Sequence, residues 1–167
     1  MKKTLQMLNL LEQQGVIKRY AIGGAMGATF YVEPFTTFDL DVFVVLPNAD
    51  NAPLVSLTPI YQFLAARGHL PEKECVMIEG VPVQFLPAYN SLLEEALEQA
   101  TDVMYDDVPT RVLTADHLAA IAVQTGRSKD RARIPMFLDS GALNNQQLVA
   151  ILARHGLTER WAQWTSQ

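Results

Sequence analysis

The fold is decided by two segments, Tyr20-Ala21-Ile22-Gly23-Gly24-Ala25 and Thr37-Phe38-Asp39-Leu40-Asp41-Val42-Phe43-Val44-Val45-Leu46. The first segment predicts a short strand that turns into a helix at the glycine pair, with the helix running to about Val32 before Pro34. In the second segment apolar residues alternate with Asp39 and Asp41, which predicts a largely buried strand. Because residues two apart on a strand point to the same side of a sheet, the two carboxylates are expected to lie close together.

These two carboxylates predict a cation site. Neighbouring acids in apolar surroundings are costly to ionise unless a cation lies between them. Mg²⁺ or Mn²⁺ suits such a pair, because a hard divalent ion prefers oxygen ligands and fills its other positions with water or phosphate oxygens. Gly23 and Gly24 allow a close approach of the backbone to a phosphate, and Thr36 and Thr37 add hydroxyl donors. Taken singly, a glycine pair is usually a turn, and an Asp-x-Asp motif is usually a solvated strand end. A glycine pair that follows a strand and is itself followed by a strand with Asp39 and Asp41 predicts nucleotidyl transfer from a nucleoside triphosphate to an acceptor hydroxyl.

The rest of the chain predicts an α+β fold. A hairpin at Glu79-Gly80 and a last short strand over Thr110–Leu113 add to the sheet. Thr114 is a good N-cap for the first of several helices, and no further strand is expected after it. The order of elements predicts a small mixed sheet backed by helices over 1–113, with a C-terminal helical extension over 114–167 packed on it as one compact unit.

Composition narrows the classes of function. The 167 residues are 49% apolar, which is enough for a buried core. The net charge of −5 argues against DNA as a partner, although a local basic patch could still bind RNA. Cys75 is the single cysteine, so no internal disulfide can form. The absence of a long apolar run or a signal peptide predicts a cytoplasmic protein with no membrane partner.

The motifs resemble the DNA polymerase β-like nucleotidyltransferase superfamily, and more narrowly its small bacterial branch of AbiEii toxin-type nucleotidyltransferases. The resemblance implies a mixed sheet backed by helices, with the nucleotide bound in a cleft above Asp39 and Asp41. It also implies a toxin–antitoxin component with a partner protein, acting on RNA, a protein or a small molecule. The stretches that carry it are Ile22-Gly23-Gly24-Ala25, Tyr31-Val32-Glu33-Pro34, Thr37-Phe38-Asp39-Leu40-Asp41 and Thr125-Gly126-Arg127-Ser128-Lys129-Asp130-Arg131.

Two positions depart from the family pattern. Superfamily members usually carry a third carboxylate on a later strand, and the matching position here is Gln84, which has no charge and is a poor base. Gln84 either touches the metal through its amide oxygen or is simply a polar strand residue facing solvent. Related proteins also commonly have an arginine where this sequence has Phe35. The alternative to an enzyme is therefore a catalytically degenerate module that binds a nucleotide or a partner protein.

A basic segment, residues 127–133, contains Arg127, Lys129, Arg131 and Arg133 against a single acid. It predicts either a clamp for a triphosphate or RNA backbone, with Arg127 and Lys129 as candidate ligands, or a solvated helix face docked on the acidic helix that contains Glu94, Glu95 and Glu98.

Overall fold

The computed structural model describes residues 1–33, 37, 39–47 and 56–166. Its strands are β1 (Arg19–Ile22), β2 (Leu40–Val45), β3 (Pro71–Glu72), β4 (Cys75–Ile78), β5 (Val81–Pro87), β6 (Thr101–Tyr105) and β7 (Val108–Val112). Its helices are α1 (Lys2–Gln13), α2 (Gly24–Ala28), α3 (Thr58–Ala65), α4 (Ser91–Glu98), α5 (Ala115–Thr125), α6 (Ser128–Arg131), α7 (Ile134–Ser140), α8 (Asn145–Arg154) and α9 (Thr158–Thr165).

The strands form one sheet in the order β3-β4-β5-β2-β1-β7-β6. The pairs β2–β5 and β1–β7 are parallel and the others antiparallel, so the sheet is mixed. The predicted α+β class with a mixed sheet and helices at the C-terminal end is confirmed. The proposed division of the chain at residue 113 stays a prediction.

Helices cover both faces of the sheet, and β2 shows how its residues are divided between them. Leu40, Val42 and Val44 are fully buried in an apolar cluster with α1 and α3. Phe43 belongs to a second cluster, on the opposite face, with α4, α5, α7 and α8. Because side chains alternate along a strand, Asp41 points to the side of Phe43, towards the C-terminal helices.

Thr114 caps α5, as its sequence position predicts. The Thr114 hydroxyl accepts a hydrogen bond from the His117 N–H at the start of α5, and Gly126 ends that helix in the left-handed region with φ = 75°. The segment after Gly126 forms two helices, α6 and α7, and Pro135 lies in the first turn of α7, where its missing N–H costs nothing.

One predicted helix boundary was wrong, and two strands were not predicted. Helix α2 ends at Ala28 and not near Val32, because the Thr29 N–H and hydroxyl both turn back to the Met26 carbonyl. Strands β3 and β6 were not predicted; β6 is mostly exposed and lacks apolar alternation, and it is stabilised by antiparallel pairing with β7.

Several sequence expectations fall outside the described residues: Phe35, Thr36, Phe38, the approach to Pro34 and most of the loop predicted over Pro47–Pro53. Within the described ranges, each helix is too short or too polar to span a bilayer.

Candidate functional site

The glycine pair is packed directly against β2. The Gly23 N–H donates to the Asp41 carbonyl at 2.9 Å, so this N–H is used within the fold and is not available to a phosphate. A Cβ on Gly23 would lie 2.4 Å from a ring carbon of Phe43. Gly24 has φ = +56°, and a Cβ there would lie 1.8 Å from Oδ2 of Asp41. Only glycine fits at either position, because the turn and the strand touch without space for a side chain.

Asp41 holds a half-buried carboxylate that lacks a strong partner. None of the residues described by the structure donates a hydrogen bond to this carboxylate or forms an ion pair with it. Burial raises the pKa of Asp41, and the charge of Asp39 raises it further. The charges of Lys129, then Arg127 and Arg133, partly offset this rise in pKa. The site therefore contains an acid that is costly to ionise, facing cations that do not contact it.

Asp39 lies close enough to Asp41 to act on its charge, as the two-residue spacing predicts. Its own surroundings differ: the Thr37 hydroxyl lies 3.4 Å from both its carbonyl oxygen and its Oδ1, which makes two long hydrogen bonds. Thr37 is thus next to the site, and its described contacts are to Asp39.

Gln84 lies directly beside Asp41. It is the register partner of Asp41 in the parallel pair of β2 and β5, so the two side chains point to the same face of the sheet. The expectation that Gln84 occupies the place of a third acid is consistent with this register. Among the described residues, no group of three or more His, Cys, Asp or Glu side chains is positioned to hold a metal ion.

A cavity of about 200 Å³ lies between this face of the sheet and the C-terminal helices. Its wall combines apolar side chains with a small number of charged and polar groups. The polar groups include Asp41, Gln84, Arg127, Asp130 and Arg133, and the apolar part includes Phe43, Leu86, Tyr89, Leu93, Leu118 and Phe137.

The basic segment meets this cavity through Arg127 and Arg133, which line it. Lys129 is exposed and does not line it, although its charge acts on Asp41. Arg127 donates from Nε to Oδ2 of Asp130 at 2.6 Å, and Arg133 donates from Nη1 to Oδ1 at 3.2 Å. Asp130 raises the pKa of Arg127, and the charges of Asp41 and then Asp39 add smaller contributions in the same direction.

Among the described residues, the acid of α4 that forms ion pairs is Glu95, and its partners lie outside the basic segment. Glu95 instead accepts hydrogen bonds from Arg154 at 2.6 Å and lies within hydrogen-bond distance of His155 and the buried His117. Within the basic segment, Arg127 and Arg133 pair with Asp130 of the same segment, and docking of the segment on α4 stays a prediction. Sequence reasoning missed Asp130, although its spacing of three residues from each arginine was a usable signal.

Solved structures with similar backbones are nucleotidyltransferases or proteins like them. The solution structure of the antibiotic-resistance factor ANT(2'')-Ia has a TM-score of 0.54 at 14% identity, covering 97% of this chain and 94% of that one. A crystal structure of ANT(2'')-Ia in complex with adenylyl-2''-tobramycin has a TM-score of 0.57 at 12% identity, covering 97% and 100%. The chain has a nucleotidyltransferase-like fold.

A third structure agrees with this fold. An antigenic nucleotidyltransferase-like protein from Paracoccidioides brasiliensis has a TM-score of 0.55 at 11% identity, covering 97% of this chain and 91% of that one. No protein-family model and no curated protein matches the sequence. The nucleotidyltransferase-like fold predicted from the resemblance is thus confirmed, whereas the narrower AbiEii-type branch stays a prediction.

Proposed function

We propose that this protein binds a nucleoside triphosphate with Mg²⁺ or Mn²⁺ in the cavity beside β2 and transfers its nucleotidyl group to an acceptor hydroxyl. The observation that carries the proposal is the carboxylate of Asp41. It is half-buried, closely packed against Gly24, without a hydrogen-bonding partner among the described residues, and in a cavity that also contains Arg127 and Arg133. Such an acid is costly to keep in a fold unless a ligand compensates for its charge.

The donor set is compatible with a hard divalent cation. Asp39 and Asp41 would supply carboxylate oxygens, and Gln84 could add an amide oxygen. Mg²⁺ needs few protein ligands, since water and phosphate oxygens complete its octahedron, so the two acids are sufficient for an ion that arrives with its nucleotide. When bound, the ion supplies charge neutralisation on the triphosphate.

The arginines on the opposite wall provide the remaining positive charge for the phosphates. A guanidinium group donates in a planar fork that matches two phosphate oxygens, which makes Arg127 a better clamp than an exposed amine. In the reaction, the acceptor hydroxyl releases its proton to solvent and its oxygen forms a bond to the α-phosphorus. The bond between the α-phosphorus and the oxygen that bridges to the β-phosphate breaks, and pyrophosphate leaves. We expect the exposed Lys129 to contribute through its charge and not through contact with the cavity.

For the acceptor we propose RNA or a protein, which the basic segment and the toxin-like resemblance favour; a partner antitoxin would belong to the same proposal. A small-molecule acceptor is the alternative suggested by the adenylylated tobramycin bound to ANT(2'')-Ia. Incubation of the protein with each labelled triphosphate, together with tRNA, candidate proteins or aminoglycosides, distinguishes them by which acceptor gains mass.

Binding is tested by thermal unfolding with the four nucleoside triphosphates and Mg²⁺ or Mn²⁺. A ligand at one hundred times its Kd adds about 2.7 kcal/mol to the free energy of unfolding, which raises Tm by roughly 5–10 °C for a chain of this size. Asp39→Asn and Asp41→Asn are expected to lose this shift. Asp139→Asn is the matched control, because Asp139 is exposed on α7 and does not line the cavity. A parent protein unaffected by every triphosphate, or aspartate variants that bind as well as the parent, would contradict the proposal.

The second candidate is a nucleotide-binding module that no longer catalyses transfer, and the neutral Gln84 beside Asp41 favours it. The two candidates differ in the response to Gln84→Asp. If glutamine has a role in an active enzyme, this variant leaves the transfer rate flat or lowers it. If the site is degenerate, the parent shows no transfer and the variant gains it. Transfer is measured as pyrophosphate released with the acceptor present.

A further inference from the structure

Asp130 lies at the junction of two arginines on the wall of the cavity. It is 3% exposed, and it accepts hydrogen bonds from Arg127 at 2.6 Å and from Arg133 at 3.2 Å. The three residues are spaced by three along the chain, so one turn of helix on either side of Asp130 brings an arginine to each of its oxygens. All three line the same cavity as Asp41.

The buried carboxylate of Asp130 is stabilised by two positively charged side chains, Arg127 and Arg133. Arg127, Asp130 and Arg133 together carry two positive charges and one negative charge. Without Asp130 the two arginines would repel each other. The 56% exposed side chain of Arg127 would then be free to turn to solvent. Both arginines line the cavity together with Asp41, and their positive charges act on that residue.

We propose that Asp130 is a positioning residue for the triphosphate: it fixes Arg127 and Arg133 on the cavity wall so that their outward N–H groups meet the phosphates. This inference rests on the proposed function. Bidentate binding of phosphate depends on the orientation of the guanidinium plane, and an arginine that is already held loses less side-chain freedom when a ligand binds.

The test uses the number of phosphates as its readout. The Kd values of ATP, ADP and AMP are measured by calorimetry with Mg²⁺ for the parent, Asp130→Asn and Arg127→Ala, and for the double variant. If Asp130 orients the arginines, Asp130→Asn weakens ATP binding by about tenfold, as expected when a charge-assisted hydrogen bond is lost, and changes AMP binding less than twofold. The Kd of the double variant for ATP is then within about twofold of the Kd of Arg127→Ala, because Asp130 acts through the arginines.

Matched controls separate this role from general destabilisation. Asp139→Asn makes the same chemical change on exposed α7, and Arg67→Ala removes an arginine that stacks on Phe63 of α3; both are expected to bind ATP like the parent. Should Asp130→Asn fail to fold, Asp130→Glu keeps the charge on a longer side chain that displaces the arginines, and the same selective loss of ATP binding is expected.

The outcomes are distinguishable. Equal loss of ATP and AMP binding in the folded Asp130 variant, or unchanged ATP binding, overturns the positioning role while leaving triphosphate binding intact. A parent protein that binds none of the three nucleotides overturns the proposed function itself.

Discussion

Gly24→Ala tests the contact between the glycine turn and the Asp41 carboxylate. A Cβ at this position would lie 1.8 Å from Oδ2 and 2.6 Å from Cγ of Asp41. Non-bonded atoms need about 3.5 Å, so the carboxylate or the start of α2 has to move by more than about 1 Å. The left-handed φ of +56° adds strain of about 1–2 kcal/mol for any residue with a side chain.

Gly15→Ala is the matched control, since it has φ = +69° and open space around its Cβ. It carries the backbone strain alone. We expect Gly24→Ala to be less stable than this control by about 1–3 kcal/mol, the usual cost of overpacking, or several degrees in Tm at about 2–4 °C per kcal/mol.

The functional effect is measured by titrating both variants with triphosphate and Mg²⁺ in a calorimeter. Gly24→Ala is expected to bind at least about tenfold more weakly than Gly15→Ala, because a displacement of about 1 Å in a positioned group is costly. If the two variants bind equally well, the packing of Gly24 does not place Asp41 for ligand binding, and the argument for the site fails.

Two further variants test the electrostatics. Asp41→Asn, in metal-free buffer, is expected to raise Tm at pH 7. Burial and the charge of Asp39 raise the pKa of Asp41 in the folded protein. The parent therefore loses stability as pH rises from 3.8 through that higher pKa, and the variant does not. The gain should vanish below pH 3.8, and an equal gain at every pH would count against this cause. Glu95→Gln is expected to lower the free energy of unfolding by roughly 1–3 kcal/mol at pH 7, because Arg154 and two histidines lower the pKa of Glu95 from 4.5 to about 2. Its ionised form stabilises the fold above pH 4.5, and this contribution is lost as pH falls through about 2. Urea unfolding at pH 7 and pH 3 should show the difference narrowing, with exposed Glu94→Gln unchanged at both; a constant difference would refute the assignment.

The elements that sequence reasoning predicted correctly are those whose stability is local. Strand β1, the glycine turn and β2 follow from an apolar run, two residues without side chains and a period-two alternation. The cap at Thr114 and the stop at Gly126 follow from the hydrogen-bonding capacity of one side chain and the conformational freedom of one glycine. Strand β6 was missed because its residues are mostly exposed and its stability comes from its partner β7.

The site was predicted only in part, for the same reason. Asp39, one residue before β2, acts on the charge of Asp41 as their spacing predicts, and the register places Gln84 beside Asp41. The hydrogen bond of the Gly23 N–H was not predicted, because its acceptor is a carbonyl of β2 that lies eighteen positions away in sequence.

Local sequence was enough to predict an α+β fold and two neighbouring carboxylates at the start of β2, because backbone turns and side-chain alternation depend on residues close together in the chain. The nucleotidyltransferase-like fold was predicted from the resemblance of the motifs to a known family. Which charges lie near those carboxylates depends on the tertiary structure. Arg127, Asp130 and Arg133 reach the cavity from a segment more than eighty positions beyond Asp41. Their approach depends on how the final helices pack against the sheet, and long-range packing leaves no periodic pattern that the sequence could display.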